Sequence, residues 1–156
     1  MIRADRLSLA LWEGDRHIAA LRQALGEWDA LGQPDCQRLE DDPALQRLTD
    51  QILFRFMKLQ DAMGERLVVG TLERLAEPYE SWPMRDRLDR LEKLGYVDVD
   101  AWLRWREVRN RLAHEYPEQA DIGQASLLGA IEAARALVHS DEAWRHRVRA
   151  AGVEAS

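Results

Sequence analysis

The chain has 156 residues, a formal net charge of −6 and 46% apolar residues, which suits one domain with a sizeable core. The acidic balance excludes a surface coated in positive potential, so any contact with nucleic acid needs a local basic patch. A single cysteine, Cys36, excludes an intramolecular disulfide framework and a cysteine-rich zinc site and points to a cytoplasmic protein.

The apolar stretch from Leu7 to Trp12 is short and runs into Glu13, Asp15 and Arg16, unlike a signal peptide, and no segment approaches a membrane span. Leu7, Leu11, Gly14, Ile18, Leu21, Leu25 and Trp28 alternate at spacings of four and three, which predicts a long amphipathic helix ending near Gly32. Gln33 to Asp42 reads as a polar loop. Asp42-Pro43 then supplies an N-cap and a first-turn proline for a second helix, whose buried face runs from Leu45 through Phe56 to Leu67. Gly64 and Gly70 are expected to bend or fray its far end.

Glu77 to Trp82 reads as a loop, after which Ser81 caps a helix that begins near Pro83 and buries Met84, Leu88 and Leu91. Gly95 ends it. Asp98 or Asp100 caps the next helix, which stops before Pro117 because the residue preceding a proline disfavours helical geometry. Asp121 caps a fifth helix through Leu127, Ile131, Ala134 and Val138, and Ser140 a short sixth through Trp144 and Val148; the tail from about residue 151 is expected to fray. No stretch alternates at period two long enough for a strand. The expected architecture is all-α: one domain over 1–156, an antiparallel up-and-down bundle of about four main helices with short extra ones.

The fourth predicted helix carries Arg109-Asn110-Arg111-Leu112-Ala113-His114-Glu115-Tyr116. Arginine offers phosphate a forked, permanent cation, and histidine exchanges protons near neutral pH. At roughly 100° per residue, Ala101, Trp105, Val108 and Leu112 share a stripe of roughly 60° that faces the core. Arg106, Asn110 and His114, spaced four apart, form a second stripe on the opposite side. Arg109 lies between the stripes and diverges from His114 by roughly 140° on a straight helix, so only its length brings the two together; Asn110 is better placed to bond the imidazole. Trp102 and Leu103 border the outward stripe, a second apolar face that implies a homodimer across this helix. A two-fold axis there would bring two copies of Arg109 and His114 into one cationic cleft.

The string resembles the Arg-x4-His-x-Tyr signature of HEPN-domain proteins of the HepT type, ribonuclease toxins paired with nucleotidyltransferase antitoxins. The resemblance covers the motif helix closely and the bundle loosely; Arg-x4-His alone is weak, since composition gives roughly half a chance occurrence. It implies a metal-independent endoribonuclease acting on RNA, with Arg109 and His114 as the catalytic pair, Asn110 between them and no cofactor. It further implies that Tyr116 receives AMP from the cognate nucleotidyltransferase, which silences the toxin.

Other readings stay open beside this one. Tyr116 could stack on Pro117. Arg104, Arg106 and Arg111 could hold flanking phosphates, or Arg104 and Arg111 could belong to a salt-bridged face around Glu107. Twenty arginines against two lysines fit either phosphate contacts or genomic base composition. His17, His139 and His146 show no metal-ligand spacing, so no metal is assigned. Trp82 and Trp102 could stack a base, with packing as the alternative use. At the level of the whole protein the alternatives are a non-catalytic HEPN binding module that serves a nucleotidyltransferase, and a helical scaffold whose motif is a surface ion-pair network.

Overall fold

The computed structural model describes residues 5–115 and 124–151. The chain is all-α: among the described residues there is no strand, and the helices are α1 (Arg6–Ala30), α2 (Cys36–Asp41), α3 (Pro43–Ala62), a π-helical turn (Met63–Leu67), α4 (Val68–Arg74), α5 (Met84–Lys93), α6 (Val99–Glu115) and α7 (Gln124–Ala150). None is long and apolar enough to cross a membrane.

Cross-helix pairs give the topology. Asp5 meets Arg74, Glu13 meets Arg66 and His17 meets Arg55, so α1 runs antiparallel to the α3–α4 rod. Asp29 meets Arg135, Arg22 meets Glu142 and Asp15 meets Arg145, so α1 is also antiparallel to α7. Trp102 lies on Gly64 while Arg106 and Arg109 reach Asp61, so α6 opposes α3. The four long elements therefore alternate up and down, as expected from long helices joined by short connections. Exposed pairs of this kind add little stability each; the apolar stripes provide most of it.

Those stripes fall where the spacing puts them. Leu7, Leu11, Gly14, Ile18, Leu21, Leu25 and Trp28 are all buried on α1. Asp42 Oδ1 accepts the Ala44 and Leu45 N–H groups at 3.0 and 3.3 Å, and Pro43 opens α3. Trp144 is fully buried, its Nε1 donating at 3.0 Å to the Thr71 hydroxyl, which in turn donates to the Leu67 carbonyl at 2.7 Å.

The stretch from Gln33 to Asp42 is not all loop: Cys36–Asp41 is helical, with Asp35 Oδ1 accepting the Arg38 N–H at 2.9 Å. Gly64 and Gly70 do not fray the rod. Gly64 sits in the π turn beneath Trp102, and Gly70 lets the backbone at Leu7 approach so closely that a Cβ would meet it at 2.9 Å. Pro83, not Ser81, precedes α5, and Met84 stays exposed because it lies in the first turn, ahead of the face formed by Leu88 and Leu91. Ser140 caps nothing. It lies inside α7, which is continuous because Leu137, Val138, Trp144 and Val148 hold one buried face across it. Asp121, the predicted cap of that helix, and most of the tail lie outside the described residues.

Candidate functional site

Helix α6 starts on two carboxylates. Asp98 Oδ1 accepts the Ala101 N–H at 3.1 Å and Glu92 Oε2 accepts the Val99 N–H at 2.7 Å, satisfying donors that have no partner within the helix. Ala101 and Leu112 are buried, and Trp105 and Val108 pack half-buried against the core. Trp102 departs from its expected place on the outer face. It is 3% exposed, because the missing side chain of Gly64 leaves room for its ring: a Cβ there would stand 3.3 Å from the indole. Leu103 alone of the two remains exposed.

The outward stripe is as expected for Asn110 and His114, both exposed, while Arg106 is half-buried. Neither Asn110 nor His114 makes a side-chain hydrogen bond among the described residues, so the proposed amide-to-imidazole bond is not formed. Tyr116 lies outside the described residues.

Arg109 turns towards α3. Its Nε and Nη2 donate to Oδ1 and Oδ2 of Asp61 at 2.9 and 2.8 Å, a bidentate fork, and Arg106 Nη1 donates to the same Oδ1 at 3.0 Å. Burial pushes the Asp61 carboxyl up, but the hydrogen bonds and charges of Arg109 and Arg106 outweigh it and hold it below the usual carboxylate value. The same fork raises the Arg109 guanidinium further still, so that it stays a cation at any working pH. Arg109 and His114 thus share a helix but are not brought together: one guanidinium is anchored on α3, the imidazole points to solvent. Arg111 pairs with Glu107 at 3.8 Å, favouring the salt-bridged reading of that residue.

Asp61 escapes sequence reasoning because it sits 48 residues from Arg109, and nothing local in Leu59-Gln60-Asp61-Ala62 announces an arginine partner. Phe54 escapes it too. It falls off the buried stripe that includes Ile52 and Phe56 and is 49% exposed, with Arg55 and Lys58 each 5.6 Å from its ring centroid, a cluster that no motif marks. Phe54 and Asp61 are seven residues apart and so share a face of α3. Because α6 runs the other way, Phe54 lies towards the end of α6 that carries His114.

A cleft of about 480 Å³ lies between the end of α1 and α7, lined by Trp28, Gln33 and Ile131 among others, with Asp29 and Arg135 paired to each other across it. It includes no motif residue. Among the described residues no group of three or more histidine, cysteine, aspartate or glutamate side chains could hold a metal ion. Comparisons with family models, curated proteins and solved structures find no match to the chain.

Proposed function

We propose that the protein is a metal-independent endoribonuclease toxin of the HEPN–nucleotidyltransferase type. Arg109 and His114 are its catalytic pair, Asn110 and Arg106 support RNA binding, and the site is completed at a homodimer cleft. The observation that carries this reading is the sequence motif Arg109-Asn110-x3-His114-x-Tyr116 in an all-α bundle, with the His114 imidazole exposed in the last turn of α6. His114 takes the proton from a ribose 2′-hydroxyl, whose oxygen attacks the adjacent phosphorus. The 5′-oxygen leaves and is protonated, giving a 2′,3′-cyclic phosphate and a 5′-hydroxyl. Arg109 offsets the charge that builds on the phosphoryl oxygens. The two effects contribute roughly 10²–10⁴-fold and a similar order respectively. Phe54 with its flanking cations supports the same reading, since an exposed ring between positive charges suits a stacked base. Transfer of AMP to Tyr116 by a cognate nucleotidyltransferase would add bulk and negative charge two residues along the chain from His114 and so oppose RNA binding.

A second reading is a non-catalytic HEPN module that binds RNA or scaffolds a nucleotidyltransferase. It is favoured by the Arg109 fork, which is already engaged by Asp61. Incubation of the protein with cellular RNA and a tRNA pool in EDTA, beside folded Arg109→Ala and His114→Ala, separates the two. Cleavage by the parent alone supports the ribonuclease. Inactivity of all three as folded dimers, with no AMP on Tyr116 by mass spectrometry, supports the module.

A further inference from the structure

Asp61 ties the two arginines of α6 together. Arg109 gives it a two-pronged fork and Arg106 shares one of the same oxygens, so the two guanidinium groups are held side by side against one carboxylate. Two guanidinium cations face the one carboxylate they bond; the next anion acting on Arg109, Glu65, is itself paired with Arg66. Arg109 Nη1 and Arg106 Nε and Nη2 make no other hydrogen bond among the described residues. The side chain of Arg106 is 43% exposed, that of Arg109 24% and that of Asp61 21%, so the cluster opens to solvent on the Arg106 side. Arg106 also stands on the stripe that carries Asn110 and His114. Without an anion between them, two long arginines would repel each other and sample many rotamers; the shared carboxylate suppresses both effects.

We propose that Asp61 is a positioning residue that gathers Arg106 and Arg109 into one seat for an RNA phosphodiester, in competition with the phosphate itself. The proposal rests on the RNA-binding side of the reading above and would hold for an inactive module as well. The seat uses the N–H groups that Asp61 leaves free, while the carboxylate weakens its grip and fixes its aim. A phosphate bound there meets guanidinium planes already oriented, which is the condition for electrostatic help at the moment of reaction.

The test is Asp61→Asn in the full chain, with binding of a labelled single-stranded oligoribonucleotide followed by anisotropy over a salt series in EDTA and cleavage of the same strand measured in parallel. Removing the internal anion frees cation for phosphate, so Kd should fall about three- to tenfold and the salt slope should steepen by about 0.7. Turnover should fall about tenfold or more, because Arg109 loses its aim. Affinity and turnover moving in opposite directions is not the signature of a weakened fold, in which both decline. Unchanged or weaker binding by a folded Asp61→Asn overturns the proposal, as does a parent that binds no RNA. If that variant does not fold, Arg106→Ala, Arg109→Ala and their double variant decide: one shared seat makes the losses of about tenfold each strongly non-additive, and additive losses overturn it. A parent that binds but does not cleave overturns the ribonuclease reading alone, and the affinity series still decides the role of Asp61.

Discussion

Arg145 of α7 lies across Gly14 of α1, its Nη2 at 2.7 Å from where a glycine Cβ would stand and donating to the Leu11 carbonyl at 2.8 Å. Its Nε reaches the buried Asp141 at 2.5 Å and its Nη1 reaches Asp15 at 2.7 Å, so the whole guanidinium is bonded. Burial pushes the Asp141 carboxyl above its usual value, and Arg145, with a smaller pull from Arg22, offsets only part of that rise. Arg145→Met should therefore destabilise the bundle by about 3–5 kcal/mol in urea unfolding, because it leaves a carboxylate buried without its partner. Asp141→Leu added to that variant should recover most of the loss. A double variant no better than the single one would show that the pair is not the source.

Two glycines should respond in opposite directions to alanine. Gly26 has open space where a Cβ would go, within α1, so Gly26→Ala should stabilise by about 0.5–1 kcal/mol through helix propensity. Gly70→Ala would press a methyl on the N and Cα of Leu7, both at 2.9 Å. Backbone cannot step aside as a side-chain tip can, so a loss of about 1–3 kcal/mol is expected. Thermal unfolding of the two variants side by side gives the comparison.

Gln60 is fully buried on α3, and neither end of its side-chain amide has a hydrogen-bond partner among the described residues. An amide left so is unfavourable by about 1–3 kcal/mol relative to an apolar group of similar shape. Gln60→Met should raise the unfolding midpoint. A lowered midpoint would mean that an ordered water bonds the amide in solution.

His17 carries the pH dependence near neutrality. Burial is the larger cause and the Arg55 cation the next, together holding the imidazole below 6.5 against the upward pull of Glu13. Arg55 Nη1 donates to His17 Nδ1 at 3.1 Å, and that nitrogen must be unprotonated to accept. The folded state thus prefers neutral His17. The unfolded chain takes up this proton first as pH falls, so the contribution is full above 6.5 and declines below it. His17→Gln should flatten the stability profile just below that pH. Asp61 acts in a separate window: its depressed carboxyl contributes fully above 3.8 and loses that contribution as pH falls further.

Phe54→Ala should weaken binding of a single-stranded oligoribonucleotide by about tenfold while leaving the unfolding midpoint within experimental error, since the ring is half exposed. Equal affinity of parent and variant would remove Phe54 from the RNA-binding surface.

Much of the bundle is legible locally. The α1 stripe, the Asp42-Pro43 start of α3 and the cap at Asp98 are written in spacing and residue type. Helix α2 is not, because none of its six residues is fully buried, Leu39 alone packs partly on the core, and only Asp35 announces the helix. Ser140 reads as a cap in isolation, yet the apolar spacing on either side runs on unbroken. A core stripe of roughly 60° leaves Trp102 on its outer border, whereas α6 packs on both α3 and α7 and so needs a broader apolar face. For the candidate site, the motif and its exposed histidine are legible. The carboxylate that holds Arg109 is not, since a pairing between distant helices has no local signature.

The π turn at Met63–Leu67 holds one more residue per turn than the α-helix on either side. It therefore works as a phase shifter in a single rod. Asp61, upstream, addresses the arginines of α6, while Thr71, downstream, addresses the indole of α7. A chain shortened by one residue within that turn could still form a smooth helix, but only one of these two side chains would meet its neighbour. The spare residue lets a surface ion cluster and a buried hydroxyl be tuned independently along the same length of helix.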